Sequence, residues 1–196
     1  MARDYCGECQ RPLPTCICTF ISNIDNDIHV IVLQHPLEVK QAKGTVTMLA
    51  KSLNKCSVFI GEDFTENIEL HQLLNLYQQH TFLLYPSEQA NVIGTYNKGN
   101  EQGKCLILLD GTWKKAYRMF MLNTFLHEFP HLSLPLGIEG GYQIRKTTKN
   151  GALSSLEACS HALMLLEGTS GKYQKLLNNF VKFNEFQLSF SQKKNQ

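Results

Sequence analysis

No apolar run in the 196-residue chain approaches the roughly 20 residues that a membrane-spanning helix needs, so no membrane span is expected. The first ten residues, MARDYCGECQ, carry no apolar h-region, so no secretory leader is expected and the cytoplasm is the expected location. Charge is sparse. Charged residues are 18% of the chain and the formal net charge is +2, so a protein of this size that binds a polyanion must gather its positive charge locally. There is no internal repeat and no low-complexity tract. A disulfide scaffold is not expected either, because a reducing compartment keeps the seven cysteines as thiols.

What is present is an ordinary globular composition, 43% hydrophobic and 10% aromatic, enough for one sizeable core with a small appendage. The appendage is residues 1–22, Cys-rich and without either hydrophobic period. Residues 23–196 are the main domain. Within it, continuous or β-branched apolar runs predict strands at 29–33, 57–60, 81–85 and 104–109, with a possible short fifth at 142–145. Helical periodicity predicts helices at 45–53 and 67–78, another after Asp110 and Gly111, and two more at about 155–166 and 172–186. Strands alternating with helices give an α/β fold with a mainly parallel sheet flanked by helices.

Cys6, Cys9, Cys16 and Cys18 stand within thirteen residues of one another. Four soft thiolates at that density can surround one tetrahedral ion, and zinc is the commonest that fits. With no open coordination position the site is structural, clamping a segment that has no core of its own. The other reading is four free or partly oxidised cysteines in a leader. Cys56, Cys105 and Cys159 lie in apolar patterns and read as buried small hydrophobes.

The segment LILLDGTWKKAYRM (106–119) runs from a buried strand through a turn into a helix. Ligands bind at the carboxyl ends of strands in open α/β sheets, which makes Asp110 and its neighbours candidates. Trp113, Ala116, Tyr117, Phe120 and Met121 share one face of that helix, and Lys114, Lys115 and Arg118 lie on the other, suited to phosphates. Each has a plainer reading. Asp110 can cap the helix, Trp113 can anchor the core, and the three cations can simply be solvated.

Taken together, DGTWKKAYRM, the cysteine leader, LQHPLEVKQAKGT (33–45), LLYPSEQA (83–90) and TKNGALSSLEACSHAL (148–163) resemble, in order, the motifs of the DTW-domain family. The resemblance covers nearly the whole chain. It implies a fold similar to the knotted SPOUT-type methyltransferases and a tRNA-uridine aminocarboxypropyltransferase activity. That reaction moves the 3-amino-3-carboxypropyl group of S-adenosylmethionine to a uridine ring nitrogen and leaves methylthioadenosine.

The chemistry then distributes roles. Asp110 would take the uridine imide proton, and Trp113 would position a base or face the sulfonium. S-adenosylmethionine would be held by loops after successive strands: Tyr85, Pro86, Ser87 and Glu88; Leu109, Gly111 and Thr112; Leu134, Leu136 and Gly137. Lys114, Lys115, Arg118, Arg145, Lys146 and Lys149 would meet tRNA phosphates. Glu157 reads equally as part of a Ser154-x-x-Glu157 capping box, and His35, before Pro36, is a candidate for contact with RNA or cosubstrate. Two other functions compete: a SPOUT-like RNA methyltransferase, distinguished only by geometry at the sulfonium, and a non-enzymatic zinc-containing RNA-binding module, which leaves Asp110 without a task. The oligomeric state is left open.

Overall fold

The run HVIVLQ forms strand β1 (His29–Gln34), and every residue after His29 in it is buried. A strand covered on both faces belongs at the centre of a parallel sheet. The computed structural model describes residues 4–41, 44–94, 104–138 and 153–193, and the possible strand at 142–145 lies outside the described residues. Around β1 stand β2 (Cys56–Ile60), β3 (Thr81–Leu84), β4 (Asn91–Val92), β5 (Cys105–Asp110) and β6 (His131–Ser133). They form one sheet in the order β2-β1-β5-β3-β6-β4, parallel at every pairing. The α/β class read from the sequence is the one observed. Strands β4 and β6 were not expected, because two or three residues are too few to display a period.

Among the described residues five α-helices cover the sheet: α1 (Val46–Ser52), α2 (Ile68–Tyr77), α3 (Trp113–Leu122), α4 (Ser155–Glu167) and α5 (Gln174–Lys193). The two-residue alternation of the strands decides which helix meets which side chain. Val30 and Val32 of β1, with Leu106 and Leu108 of β5, pack with Met48, Leu163, Phe180 and Phe183 from α1, α4 and α5. Ile31, Leu33, Ile107 and Leu109 face the other way, against Leu70 and Leu74 of α2 and Ala116 and Met119 of α3. Gln34 and Asp110 continue the first row, so their side chains emerge on the α4 side of the sheet.

The Cys-rich segment is irregular, as expected, with single 3-10 turns at Leu13–Thr15 and Cys18–Phe20. It nonetheless lends the fully buried Ile17 and the buried Cys9 to the core beneath α4 and α5. Phe20 meets Phe183 edge-on at 5.8 Å, and the Arg11 guanidinium lies 5.7 Å from the Phe183 ring centre. Among the described residues no helix is long and apolar enough to cross a membrane.

Candidate active site

Strands β1 and β5 are in register such that Gln34 lies opposite Asp110 at their carboxyl ends. The Gln34 side-chain amide donates to Asp110 Oδ2 at 2.9 Å. On the other oxygen, Ser155 Oγ donates to Asp110 Oδ1 at 2.5 Å. Ser155 is the first residue of α4. A capping box holds that helix start: Glu157 Oε2 accepts from both the Ser154 backbone N–H and the Ser154 hydroxyl at 2.8 Å, and the Glu157 N–H returns to Ser154 Oγ. Asp110 is thus a carboxylate 9% exposed, fixed in orientation by two neutral donors from elements 76 and 45 residues away. It does not cap α3. Thr112 does, accepting from the Lys115 N–H.

The turn between β5 and α3 is tight. A Cβ on Gly111 would stand 3.0 Å from Lys115 Cβ, so any larger residue would have to push the first turn of α3 away by a few tenths of an ångström. Helix α3 is then tied down from three directions. Lys115 Nζ reaches Glu38 Oε1 at 2.8 Å, in the loop after β1. Arg118 Nε reaches Glu62 Oε2 at 2.8 Å, and Glu62 Oε1 also meets the buried His35 Nε2 at 3.0 Å. His35 Nδ1 accepts the Leu37 N–H, which places the ring proton on Nε2, toward Glu62. Past the helix end the fully buried Asn123 accepts from Phe64 N–H and donates to the Glu62 and Met119 carbonyls. Trp113 takes no part in this packing: it is 61% exposed, which sets aside its reading as a core anchor.

The loops expected to hold S-adenosylmethionine follow β5, β3 and β6, and those three strands are neighbours in the sheet. In the β3 loop, Tyr85 stacks on Phe120 of α3 at 4.6 Å and 17°, and burial raises the Tyr85 hydroxyl above its ordinary pKa, with Tyr117 adding to it. Ser87 Oγ and His131 Nδ1 lie 2.6 Å apart, while the buried His131 Nε2 has no hydrogen-bond partner among the described residues. Pro86 and Glu88 are exposed. In the β6 loop Leu134 packs on the core, Leu136 is fully exposed, and Gly137 takes φ +89°, a backbone conformation that favours glycine.

At the other end of the chain the Sγ atoms of Cys6, Cys9, Cys16 and Cys18 all lie within 4.8 Å of one another, with Cys6–Cys18 at 3.6 Å and Cys9–Cys16 at 3.7 Å. Four sulfurs bound at about 2.3 Å to a tetrahedral ion are about 3.8 Å apart, so the donor set fits one metal ion. The backbone N–H groups of Cys9 and Glu8 hold the Cys6 thiol down to about 6, whereas burial and the neighbouring Cys16 thiol push Cys18 up to about 12. Four thiolates repel one another, and a divalent cation is what removes that conflict. Cys56 and Cys105 behave otherwise: burial pushes both thiols up to about 12, and they remain neutral.

Residues 3–188 match the DTW domain family. The chain belongs to the DTW-domain family. Its relatives include proteins named tRNA-uridine aminocarboxypropyltransferase 2 from Macaca fascicularis, 31% identical over 191 residues, and from Mus musculus, 29% identical over 191 residues. Each of those alignments takes in 95% of this chain and 64% of the relative, so the chain spans a little under two thirds of their length. The protein of the same name from Drosophila melanogaster is 30% identical over 195 residues, covering 95% of this chain and 76% of that one. No solved structure matches.

The DTW-domain motifs are scattered along the sequence, but the fold gathers four of them at one sheet edge. His35 and Glu38 bind the Asp110–Arg118 segment through Glu62 and Lys115, Ser155 binds Asp110, and Tyr85 stacks on α3. Sequence reading missed Gln34, Ser155, Glu62 and Asn123. For Ser155 a signal existed, since it follows a recognisable cap, but the carboxylate it serves lies 45 residues earlier. Arg145, Lys146 and Lys149 lie outside the described residues.

Proposed function

We propose that this DTW-domain protein transfers the 3-amino-3-carboxypropyl group of S-adenosylmethionine to the imide nitrogen of a uridine in tRNA. One observation carries the reading: in a chain similar over 95% of its length to tRNA-uridine aminocarboxypropyltransferases, the segments that resemble the family motifs converge on one oriented carboxylate, Asp110. When bound, S-adenosylmethionine supplies an electrophilic carbon on its sulfonium. Forming the N–C bond breaks the C–S bond, and the electron pair stays on sulfur as the neutral thioether of methylthioadenosine.

The residues of the chain divide the remaining work. Asp110 accepts the imide proton while Gln34 and Ser155 hold the carboxylate toward the reacting nitrogen. Trp113, exposed beside it, offers its face to the base. The loops of Tyr85–Glu88, Leu109–Thr112 and Leu134–Gly137 hold the cosubstrate, and their adjacency at the carboxyl edge of β5, β3 and β6 supports that assignment. Lys114, with Arg145, Lys146 and Lys149, meets tRNA phosphates; Lys115 and Arg118 are engaged by Glu38 and Glu62 and chiefly position α3.

The four-cysteine cluster binds zinc in this reading, and residues 1–22 form a knuckle on the catalytic domain at 23–196. The knotted SPOUT-like path implied by the resemblance and a cytoplasmic location belong to the same proposal. The discriminating experiment follows the by-product. Incubation with S-adenosylmethionine and unmodified tRNA releases methylthioadenosine; release of S-adenosylhomocysteine instead identifies a methyltransferase and overturns the proposal.

A further inference from the structure

Helix α3 turns Ala116 and Met119 into the core. Trp113, Tyr117 and Met121 then fall at i, i+4 and i+8 along another face, and they are exposed by 61, 57 and 49%. A helix face that merely meets water carries polar side chains; this one carries two aromatic rings and a thioether. The helix bears three cations and no acid. Lys115 and Arg118 are paired with Glu38 and Glu62, and Lys114 is the cation of α3 outside an ion pair among the described residues. The stripe begins three residues past Asp110, at most about 11 Å of chain away. Phe120 of the same helix stacks on Tyr85, in the loop after β3.

Flat rings one helical turn apart with a cation alongside suit unpaired bases and the phosphate between them. Three half-exposed side chains fall well short of the roughly 800 Å² that a stable protein partner covers on each side. We propose that this face of α3 is a stacking platform that continues from the target base at Trp113 to the unpaired RNA base next to it, with Tyr117 receiving that neighbouring base and Lys114 the phosphate between the two. The aminocarboxypropyltransferase reading says which RNA is bound and why; the platform itself rests on the exposed rings.

Trp113 is the single tryptophan of the chain, so its emission reports on this face alone. The full chain is titrated with a single-stranded oligouridylate and with a duplex RNA of equal length, alongside Tyr117→Ser and Tyr117→Phe. The platform predicts saturable quenching by the single strand, little by the duplex, and an apparent Kd about tenfold or more weaker in Tyr117→Ser, with Tyr117→Phe close to wild type. In the transfer reaction Tyr117→Ser raises KM for tRNA by a similar factor. No quenching by the single strand, or an unchanged Kd in Tyr117→Ser, overturns the platform. So does emission that shifts with protein concentration alone, which assigns the face to a second copy. Quenching without transfer to any tRNA counts against the proposed activity and leaves the platform standing. Transfer with an unaltered tRNA KM in Tyr117→Ser does the reverse.

Discussion

Asp110 illustrates what a residue type can and cannot say. An Asp at a strand end before a helix reads equally as cap or base, and only the fold separates the two, by giving the cap to Thr112 and aiming Gln34 and Ser155 at the carboxylate. If Asp110 is the base, Asp110→Ala lowers kcat by about 10² or more. Ser155→Ala removes one hydrogen bond to a charged group, so it should cost about 1.5–3 kcal/mol in urea unfolding and lower kcat with a smaller effect on KM. A kcat loss in Asp110→Ala no larger than in Ser155→Ala would contradict the base assignment. At the opposite end of β1, His29 bonds Ser57 Oγ and the Tyr77 hydroxyl, each at 2.9 Å, and burial, with the nearby Lys55 charge, lowers its pKa below the ordinary value. The unfolded chain therefore takes up this proton first. Stability contributed by neutral His29 is complete above the ordinary pKa, falls as pH drops below about 6.5, and is fully lost below the folded value. Thermal unfolding between pH 7.5 and 5 should show a steeper decline in wild type than in His29→Gln.

Elements were legible where their pattern was long enough to carry a period. The runs that became β1, β2, β3 and β5 are continuous and apolar, and all five helices were anticipated, whereas β4 and β6 hold two and three residues and left no pattern. The start of α4 was readable because a capping box is local chemistry, four residues long, and the box is formed as its spacing suggested. Its target was not readable, since the neighbourhood of Ser155 and Asp110 depends on packing across the sheet. Apolar spacing was only partly right for α3: of Trp113, Ala116, Tyr117, Phe120 and Met121, read as one face, the core takes Ala116 together with Met119, while Trp113, Tyr117 and Met121 are exposed. Ser154→Ala should cost about 1 kcal/mol of stability through the lost cap. Because Ser155 is the next residue, the same substitution should also lower kcat, and chemical unfolding measured beside turnover separates the two effects. A stability loss with unchanged kcat would show that α4 keeps its aim without the box.

For the whole molecule, the order of strands was the least legible feature, because β5 inserts between β1 and β3 and joins residues far apart in sequence. That insertion brings Gln34 beside Asp110, so the site is a product of topology more than of any one motif. The cysteine leader shows the converse, a local pattern with a long reach: Cys9 and Ile17 belong to the same core as Phe180 and Phe183. If the cluster holds zinc, elemental analysis gives one zinc per chain, and Cys6→Ser or a strong chelator lowers Tm cooperatively by loosening the α5 layer as well. A metal-free protein with an unchanged Tm would contradict it. Whether the geometry at this sheet edge serves aminocarboxypropyl transfer is decided by isotopic label. Purified protein and unmodified tRNA are incubated with S-adenosylmethionine labelled in its carboxyl carbon or, separately, in its methyl group. Carboxyl label should enter the tRNA without methyl label, and incorporation should be lost in Asp110→Ala; methyl label in the tRNA would contradict aminocarboxypropyl transfer.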